Sequence, residues 1–115
     1  MQRRRRNGKE PDVTAVRAIR LDMRDNVANV LEDVRAGTYI EAACRDDRRR
    51  VKAVTDVPFG FKVALVDIPA GELVIKYGET IGRASGDIKA GEMVHIHNME
   101  GTRGRGDLEA KGAAR

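Results

Sequence analysis

A six-residue unit occurs three times in this chain, as DVRAGT at residues 33–38, DIPAGE at residues 67–72 and DIKAGE at residues 87–92. Its glycine can adopt the positive φ angle of a tight turn, and its aspartate can accept hydrogen bonds from backbone N–H groups two residues further on. Apolar runs flank every copy. The unit therefore predicts β-turns between short strands, and its aspartates are interpreted as turn-forming rather than catalytic.

The apolar runs between turn signals predict short strands and no amphipathic helix. Residues 46–50 are charged and are expected to form a solvated loop or strand tip, and residues 78–79 a hairpin tip. This arrangement predicts an all-β domain with irregularly paired strands. The predicted strands are Val13–Leu21, Val27–Leu31 (or a helical turn), Thr38–Ala43, Val51–Val54, Lys62–Val66, Leu73–Tyr77, a return strand from Thr80, and Met93–Asn98.

The charge is distributed unevenly along the chain. Residues 1–9 carry five of the 22 basic side chains and none of the 18 acidic ones. Runs of like charge are typical of disordered tails. We therefore predict a basic tail over residues 1–12, a folded domain over 13–100 and a flexible, glycine- and arginine-containing tail over 101–115. A solvated tail is preferred for the first segment, an electrostatic docking arm comes second, and nucleic acid is the least favoured partner because no aromatic stacking platform accompanies the charge.

The remaining composition indicates a cytoplasmic protein. The single cysteine, Cys44, cannot form an internal disulfide and is interpreted as a small, half-buried strand residue. No apolar run reaches the roughly 18 residues of a membrane span, and no apolar segment follows the initial arginines as in a signal peptide. Aromatic residues are few, so a partner subunit or self-association of the isolated chain is expected to add to a modest core.

Both histidines of the chain follow the third copy of the unit, in His95-Ile96-His97-Asn98. In a strand, His95 and His97 would share one face with Met93, at about 7 Å spacing, while Ile96 would face the core. Two such imidazoles could bind one ion or serve as general acid and base. The alternative is a pair of exposed histidines that pack against a partner.

A second candidate segment is Gly101–Asp107, which contains Arg103 and Arg105. Glycines allow backbone N–H groups to approach an anion, and arginine pairs with carboxylates. The segment matches neither the phosphate-binding loop nor the dinucleotide fingerprint. The alternative is a flexible tail.

Taken together, these motifs resemble the SAF-domain small subunit of the altronate/galactarate dehydratase family. The resemblance covers roughly Val16–Asp107 and is most specific in KYGETIG, DIKAGE and HIHN. It implies a β-clip fold of short strands. It also implies a small subunit, inactive alone, which eliminates water from a sugar acid together with a separate large catalytic subunit.

The resemblance further implies a divalent metal, Fe²⁺ or Mn²⁺, shared with or held by the large subunit. It points to His95 and His97 as catalytic residues or, alternatively, metal ligands, and to Asn98, Arg103 and Arg105 as substrate-binding residues. Phe61 stands where many relatives have histidine. Two alternatives remain open: the small subunit of a sulfolactate sulfo-lyase, which the chain also resembles, and a non-catalytic SAF module that binds carbohydrate or protein.

Overall fold

The structure, a computed structural model, describes residues 15–101, and these form strands and turns without a helix. The all-β class predicted from the sequence is confirmed. The predicted tails lie almost entirely outside the described residues, so the proposed division of the chain stays a prediction. The strands within these limits are β1 (Val16–Ile19), β2 (Val27–Val30), β3 (Tyr39–Cys44), β4 (Asp47–Lys52), β5 (Lys62–Ala64), β6 (Leu73–Lys76), β7 (Glu79–Ala84), β8 (Met93–Val94) and β9 (Met99–Glu100).

The strands form a six-stranded sheet in the order β4-β3-β1-β2-β5-β8 and a three-stranded sheet in the order β9-β7-β6. Only β1 and β3 pair in parallel; the other pairs are antiparallel. One buried cluster centres on Ile40, Val57 and Val63, and a second, around Val74 and Ile88, joins residues of both sheets. Residues 15–101 include no helix that could cross a membrane.

The repeated unit occurs a fourth time, as DVPFGF at residues 56–61, a copy that sequence reasoning missed. Its glycine has φ +86°, against +91°, +89° and +93° in the other three copies. In every copy the residue after the glycine donates its backbone N–H to the carbonyl oxygen three residues earlier, at 3.0 Å. This is the hydrogen bond that closes a β-turn with glycine at its third position. The predicted turns are therefore present, in four copies.

The aspartates act across pairs of copies, which corrects the expectation that each would bind its own turn. Asp33 accepts from the Phe59 N–H and Asp56 from the Ala36 N–H, both at 2.8 Å. Asp67 accepts from the Ala90 N–H and Asp87 from the Ala70 N–H, both at 2.9 Å. Each carboxylate thus holds the turn of another copy, and the exchange is mutual. We call the two assemblies reciprocal turn pairs: residues 33–38 with 56–61, and residues 67–72 with 87–92.

Backbone hydrogen bonds reinforce each reciprocal turn pair. Each turn exchanges two hydrogen bonds with the residue that lies three positions before the aspartate of its partner copy. The turn of residues 33–38 binds Ala53 in this way, and that of residues 56–61 binds Val30. The second pair repeats the pattern with Ala84 and Ala64, at distances of 2.8–2.9 Å. Residues 15–101 therefore contain two similar halves, each closed by hydrogen bonds between residues distant in sequence.

Two buried or half-buried side chains fix the start of β2 to the β6–β7 hairpin. Asp25 accepts from the Leu21 and Asp22 N–H groups at 3.1 Å and from the Gly78 N–H at 2.8 Å. The Asn26 amide accepts from the Ile75 N–H at 2.7 Å and donates to the Leu73 carbonyl at 2.9 Å. The Asn26 side chain thus forms hydrogen bonds with one backbone carbonyl and one backbone N–H of β6. The position of this hairpin relative to the larger sheet is set by these contacts.

Residues 47–50 belong to a regular strand, and only Asp46 lies in the turn before it, so most of the segment expected as a loop or strand tip is strand. Strand β4 pairs with β3 over six residue pairs, from Tyr39–Lys52 to Cys44–Asp47. Of the predicted strand over residues 51–54, Val51 and Lys52 form the end of this longer element, and the next two residues lie outside it. Successive side chains of a strand point to opposite faces of the sheet, so Arg48, Arg50 and Lys52 lie on the same face of β4. Glu41 on β3 bonds two of them, Arg48 at 3.2 Å and Arg50 at 2.8 Å.

We predict that Asp33→Ala lowers the free energy of unfolding by about 1 kcal/mol, because the Phe59 N–H loses its acceptor. Asp33→Asn, which keeps a side-chain oxygen at that position, should lose less. Chemical denaturation measures both. Asp46→Ala, at an exposed aspartate in the β3–β4 turn, serves as the control. Equal effects of Asp33→Ala and Asp46→Ala would contradict the cross-pair role of the carboxylate.

The second reciprocal turn pair offers a matched test of backbone packing. Gly71 and Gly91 have nearly equal φ angles, but a Cβ at Gly71 meets nothing within 4 Å, whereas one at Gly91 overlaps the carbonyl oxygen of Lys52. Gly71→Ala should cost about 1–2 kcal/mol through φ alone. Gly91→Ala should cost clearly more in the same denaturation experiment. Equal costs would show that the turn does not pack against the end of β4 as described.

Candidate functional site

The histidine-bearing segment is a turn rather than the predicted strand over Met93–Asn98. Strand β8 ends at Val94, and the Asn98 N–H donates to the His95 carbonyl at 3.0 Å. The Asn98 side chain closes the turn from within: its Oδ1 accepts from the His95 N–H and its Nδ2 donates to the Met93 carbonyl, both at 2.9 Å. The prediction of a strand was wrong because it ignored this side-chain competition with the β ladder.

The two imidazoles consequently lie in different surroundings. The His95 ring is half-buried and contacts the Phe61 ring edge-to-face, with centroids 5.0 Å apart. His97 is exposed, and Ile96, expected in the core, is 81% exposed. His95 and His97 were expected to share one face of a strand, but neither residue belongs to a strand. Their assignment as catalytic residues is not tested by this and stays a prediction.

His97 and Asn98 border an open cavity of about 210 Å³, which is also lined by Thr55, Asp87, Glu92 and Met93. The two carboxylates already accept backbone hydrogen bonds: Asp87 from Ala70, and Glu92 from the Lys89 N–H at 2.9 Å. A larger cavity of about 370 Å³ lies on the outer face of β1, β3 and β4, beside Arg17 and Arg48. It is remote in sequence from the histidines and is dominated by paired charges.

The predicted divalent metal does not fit the described residues on their own. Within residues 15–101, no group of three or more histidine, cysteine, aspartate or glutamate side chains could hold a metal ion. Two imidazoles in different surroundings do not complete a coordination sphere. Arg103 and Arg105 lie outside the described residues, so their predicted role in substrate binding remains a prediction.

Sequence reasoning missed a lysine. Lys62 in β5 is half-buried, and burial together with the nearby charge of Lys76 lowers its pKa below the usual 10.5. Its neighbours across the sheet are Asn29 on β2 and Val94 on β8. The signal in the sequence was a lysine inside the apolar run FKVAL, which was read only as a strand.

Comparison with known proteins agrees with the fold and the motifs. Residues 16–102 match the family model described as the altronate/galactarate dehydratase SAF domain. The chain is 45% identical over 80 residues to an altronate dehydratase of Escherichia coli, an overlap of 70% of this chain and 15% of that protein. It therefore spans only a small part of that relative's length.

Two further relatives are subunits. The chain is 49% identical over 51 residues to the (2R)-sulfolactate sulfo-lyase subunit alpha of Paracoccus pantotrophus, covering 44% of this chain and 76% of that subunit. It is 40% identical over 73 residues to the corresponding subunit of Chromohalobacter salexigens, covering 62% of this chain and 78% of that subunit. On the extent of the family match, which includes every strand described above, this chain belongs to the altronate/galactarate dehydratase SAF domain family.

Proposed function

We propose that this chain is the small subunit of a sugar-acid dehydratase, which eliminates water from an altronate- or galactarate-type hydroxy acid together with a separate large catalytic subunit. The observation that carries the proposal is the family match over residues 16–102. The sulfo-lyase relatives support the subunit role, since the matched segments make up 76% and 78% of their alpha subunits. In those proteins a module of this kind is most of one polypeptide.

The proposed reaction needs a base, an acid and a stabilised anion. A base removes the proton next to the carboxylate, negative charge develops on the carboxylate oxygens, and an acid protonates the departing hydroxyl. An imidazole can serve as acid or base near neutral pH. Among the two predicted catalytic histidines, His97 has the accessible ring at the cavity, whereas the His95 ring packs against Phe61. We assign proton transfer to His97 and the placement of the turn against β5 to His95.

We assign the divalent metal of this proposal to the large subunit, because the described residues do not fit such an ion by themselves. When bound there, the cation would stabilise the charge that develops on the substrate. The contribution of this chain is then to close the site and to supply polar side chains from one side.

A second candidate function is the small subunit of a sulfolactate sulfo-lyase, favoured by the 49% identity to one such alpha subunit. The two functions differ in the leaving group, which is water in one case and sulfite in the other. A third candidate, a non-catalytic SAF binding module, would require no large subunit. Co-purification of this chain with a large subunit, followed by assays for dehydration and for sulfite release, separates the three.

His97→Gln should lower kcat of the reconstituted complex by about 10²–10⁴-fold, the usual contribution of a general acid or base. The substitution leaves folding intact, because the ring is exposed. Ile96→Ala, in the same turn and also exposed, is the control and should retain activity. Unchanged turnover in His97→Gln would remove this residue from the chemistry.

Asn98→Ala should lower both activity and stability. It removes the acceptor of the His95 N–H and the donor to the Met93 carbonyl, two hydrogen bonds worth together about 2 kcal/mol. Asn98→Asp keeps the acceptor and should lose about half as much in thermal or chemical unfolding. An Asn98→Ala variant of wild-type stability and lowered activity would instead support direct substrate binding.

A further inference from the structure

The outer face of strands β1, β3 and β4 carries a concentration of positive charge. Arg17 on β1 is in register with Glu41 on β3, and Glu41 is in register with Arg50 on β4. Arg48 and Lys52 lie two residues to either side of Arg50, on the same face. All four cations are exposed, and within these three strands Glu41 is the one acidic side chain on this face. We call the surface formed by the four cations the basic face.

The contacts of Glu41 neutralise only part of this charge. Its carboxylate pairs with Arg50 at 2.8 Å and with Arg48 at 3.2 Å, and the Arg48 side chain is still 72% exposed. Arg17 and Lys52 form no salt bridge with residues 15–101. Four cations and one carboxylate leave the basic face with a net charge of +3, whereas residues 15–101 together carry 13 basic and 14 acidic side chains. The positive charge is therefore local to this surface.

A cavity of about 370 Å³ joins two strands of the basic face. It is lined by Arg17 and Arg48, with Glu41 and Ala43 of the strand between them. Strands β1 and β4 flank β3 and therefore lie about 10 Å apart, twice the spacing of neighbouring strands. The small alanine side chain leaves space over β3 that both arginines border. A carboxylate in this space can pair with their guanidinium groups.

The spacing of the cations fits an extended polypeptide with acidic side chains. Arg48, Arg50 and Lys52 follow each other at every second residue of β4, a repeat of about 7 Å. Acidic residues at every second position of an extended segment have the same repeat. The cations are spread over the sheet and do not converge on one point, so the array suits several carboxylates better than one small anion.

Other occupants agree less well with the basic face. Its aromatic residue, Tyr39, has two cations over the ring, Arg50 at 5.7 Å and Lys52 at 5.8 Å from the centroid, so the ring offers no open platform for a nucleic-acid base. A second copy of the face would bring like charges together. Residues 1–14 and 102–115 are each net positive in sequence, so neither segment complements the face.

We propose that the basic face is the docking surface for an acidic, extended segment of a partner polypeptide. Arg17 and Arg48 pair with one carboxylate at the cavity, and Lys52 pairs with another further along β4. We assign this segment to the large catalytic subunit. The identity of the partner thus rests on the proposed function, whereas the docking surface rests on the side chains themselves.

Binding of an acidic peptide to the full-length chain tests the docking surface without a catalytic assay. The probe is a peptide with glutamate at every second position, and its glutamine counterpart is the neutral control. Affinities are measured at low and at physiological salt, and amide chemical shifts locate the contact. The test variant is Arg17→Gln/Arg48→Gln. The matched control is Arg4→Gln/Arg5→Gln, which removes the same charge from a segment outside residues 15–101.

The glutamate peptide should bind the wild type, shift amide resonances of β1, β3 and β4, and lose affinity with added salt. Arg17→Gln/Arg48→Gln should weaken binding about tenfold, the combined loss of two exposed ion pairs. Arg4→Gln/Arg5→Gln should weaken it much less. The test variant should keep the unfolding temperature of the wild type, because both arginines are exposed and Glu41 retains its pair with Arg50.

Failure of the wild type to bind the glutamate peptide would overturn the proposal. Equal losses in the two double variants would also overturn it, because net charge alone would then explain the binding. Tighter binding of a single-stranded oligonucleotide or of anionic lipid vesicles, with shifts in the same three strands, would overturn the choice of a polypeptide as partner.

The assignment to the large subunit has a separate test. Arg17→Gln/Arg48→Gln should weaken co-purification with that subunit, and the complex formed at saturating subunit concentration should keep its activity. Peptide binding that depends on these arginines, together with a reconstituted complex that eliminates nothing, would leave the docking surface standing and refute the proposed function. An active complex that assembles equally well with the variant would keep the proposed function and overturn the assignment of the basic face to the large subunit.

Discussion

The structure depends on one arrangement that is used twice: a carboxylate from one turn accepts a backbone N–H from another, and the second turn returns the same bond. Such hydrogen bonds contribute only about 1 kcal/mol each. Their importance lies in what they connect, since Asp33 meets Phe59 and Asp67 meets Ala90 across 26 and 23 residues. Short strands of two to six residues would pair weakly by themselves. The reciprocal turn pairs supply the long-range order that the strands lack.

The local parts of this fold could be predicted from the sequence, and the long-range parts could not. Glycine at a fixed offset from aspartate identified the turns, and the apolar runs identified most strands. The partner of each aspartate depends on tertiary placement, so no local pattern reveals it. The fourth copy was missed because DVPFGF has phenylalanine on both sides of its glycine where the other copies have smaller or polar residues. The strand expected at Met93–Asn98 failed because the Asn98 amide bonds the backbone that would have continued the ladder.

In the candidate site, too, some residues could be identified from the sequence and others only from their tertiary placement. Its histidines stand out in the sequence because the chain contains only two. Lys62 does not, because lysine is common and usually solvated. Only the tertiary packing around β5 leaves Lys62 half-buried, and this burial lowers the pKa of its side chain. The relevant signal is therefore energetic, because burial makes the charged form of an ammonium group costly.

Each reciprocal turn pair encloses one hairpin, β3–β4 in the first half of the domain and β6–β7 in the second. The bonds that close each half come from residues before and after the hairpin and not from its tip. A hairpin in this position can change in length or sequence while the turns that hold it stay the same. The domain thus consists of two reciprocal turn pairs, each of which holds one hairpin whose sequence can vary. In this chain the first hairpin displays Arg48 and Arg50, both paired with Glu41, and the second carries Lys76. The side chains of each hairpin can therefore change independently, while the turns that hold the hairpins stay constant.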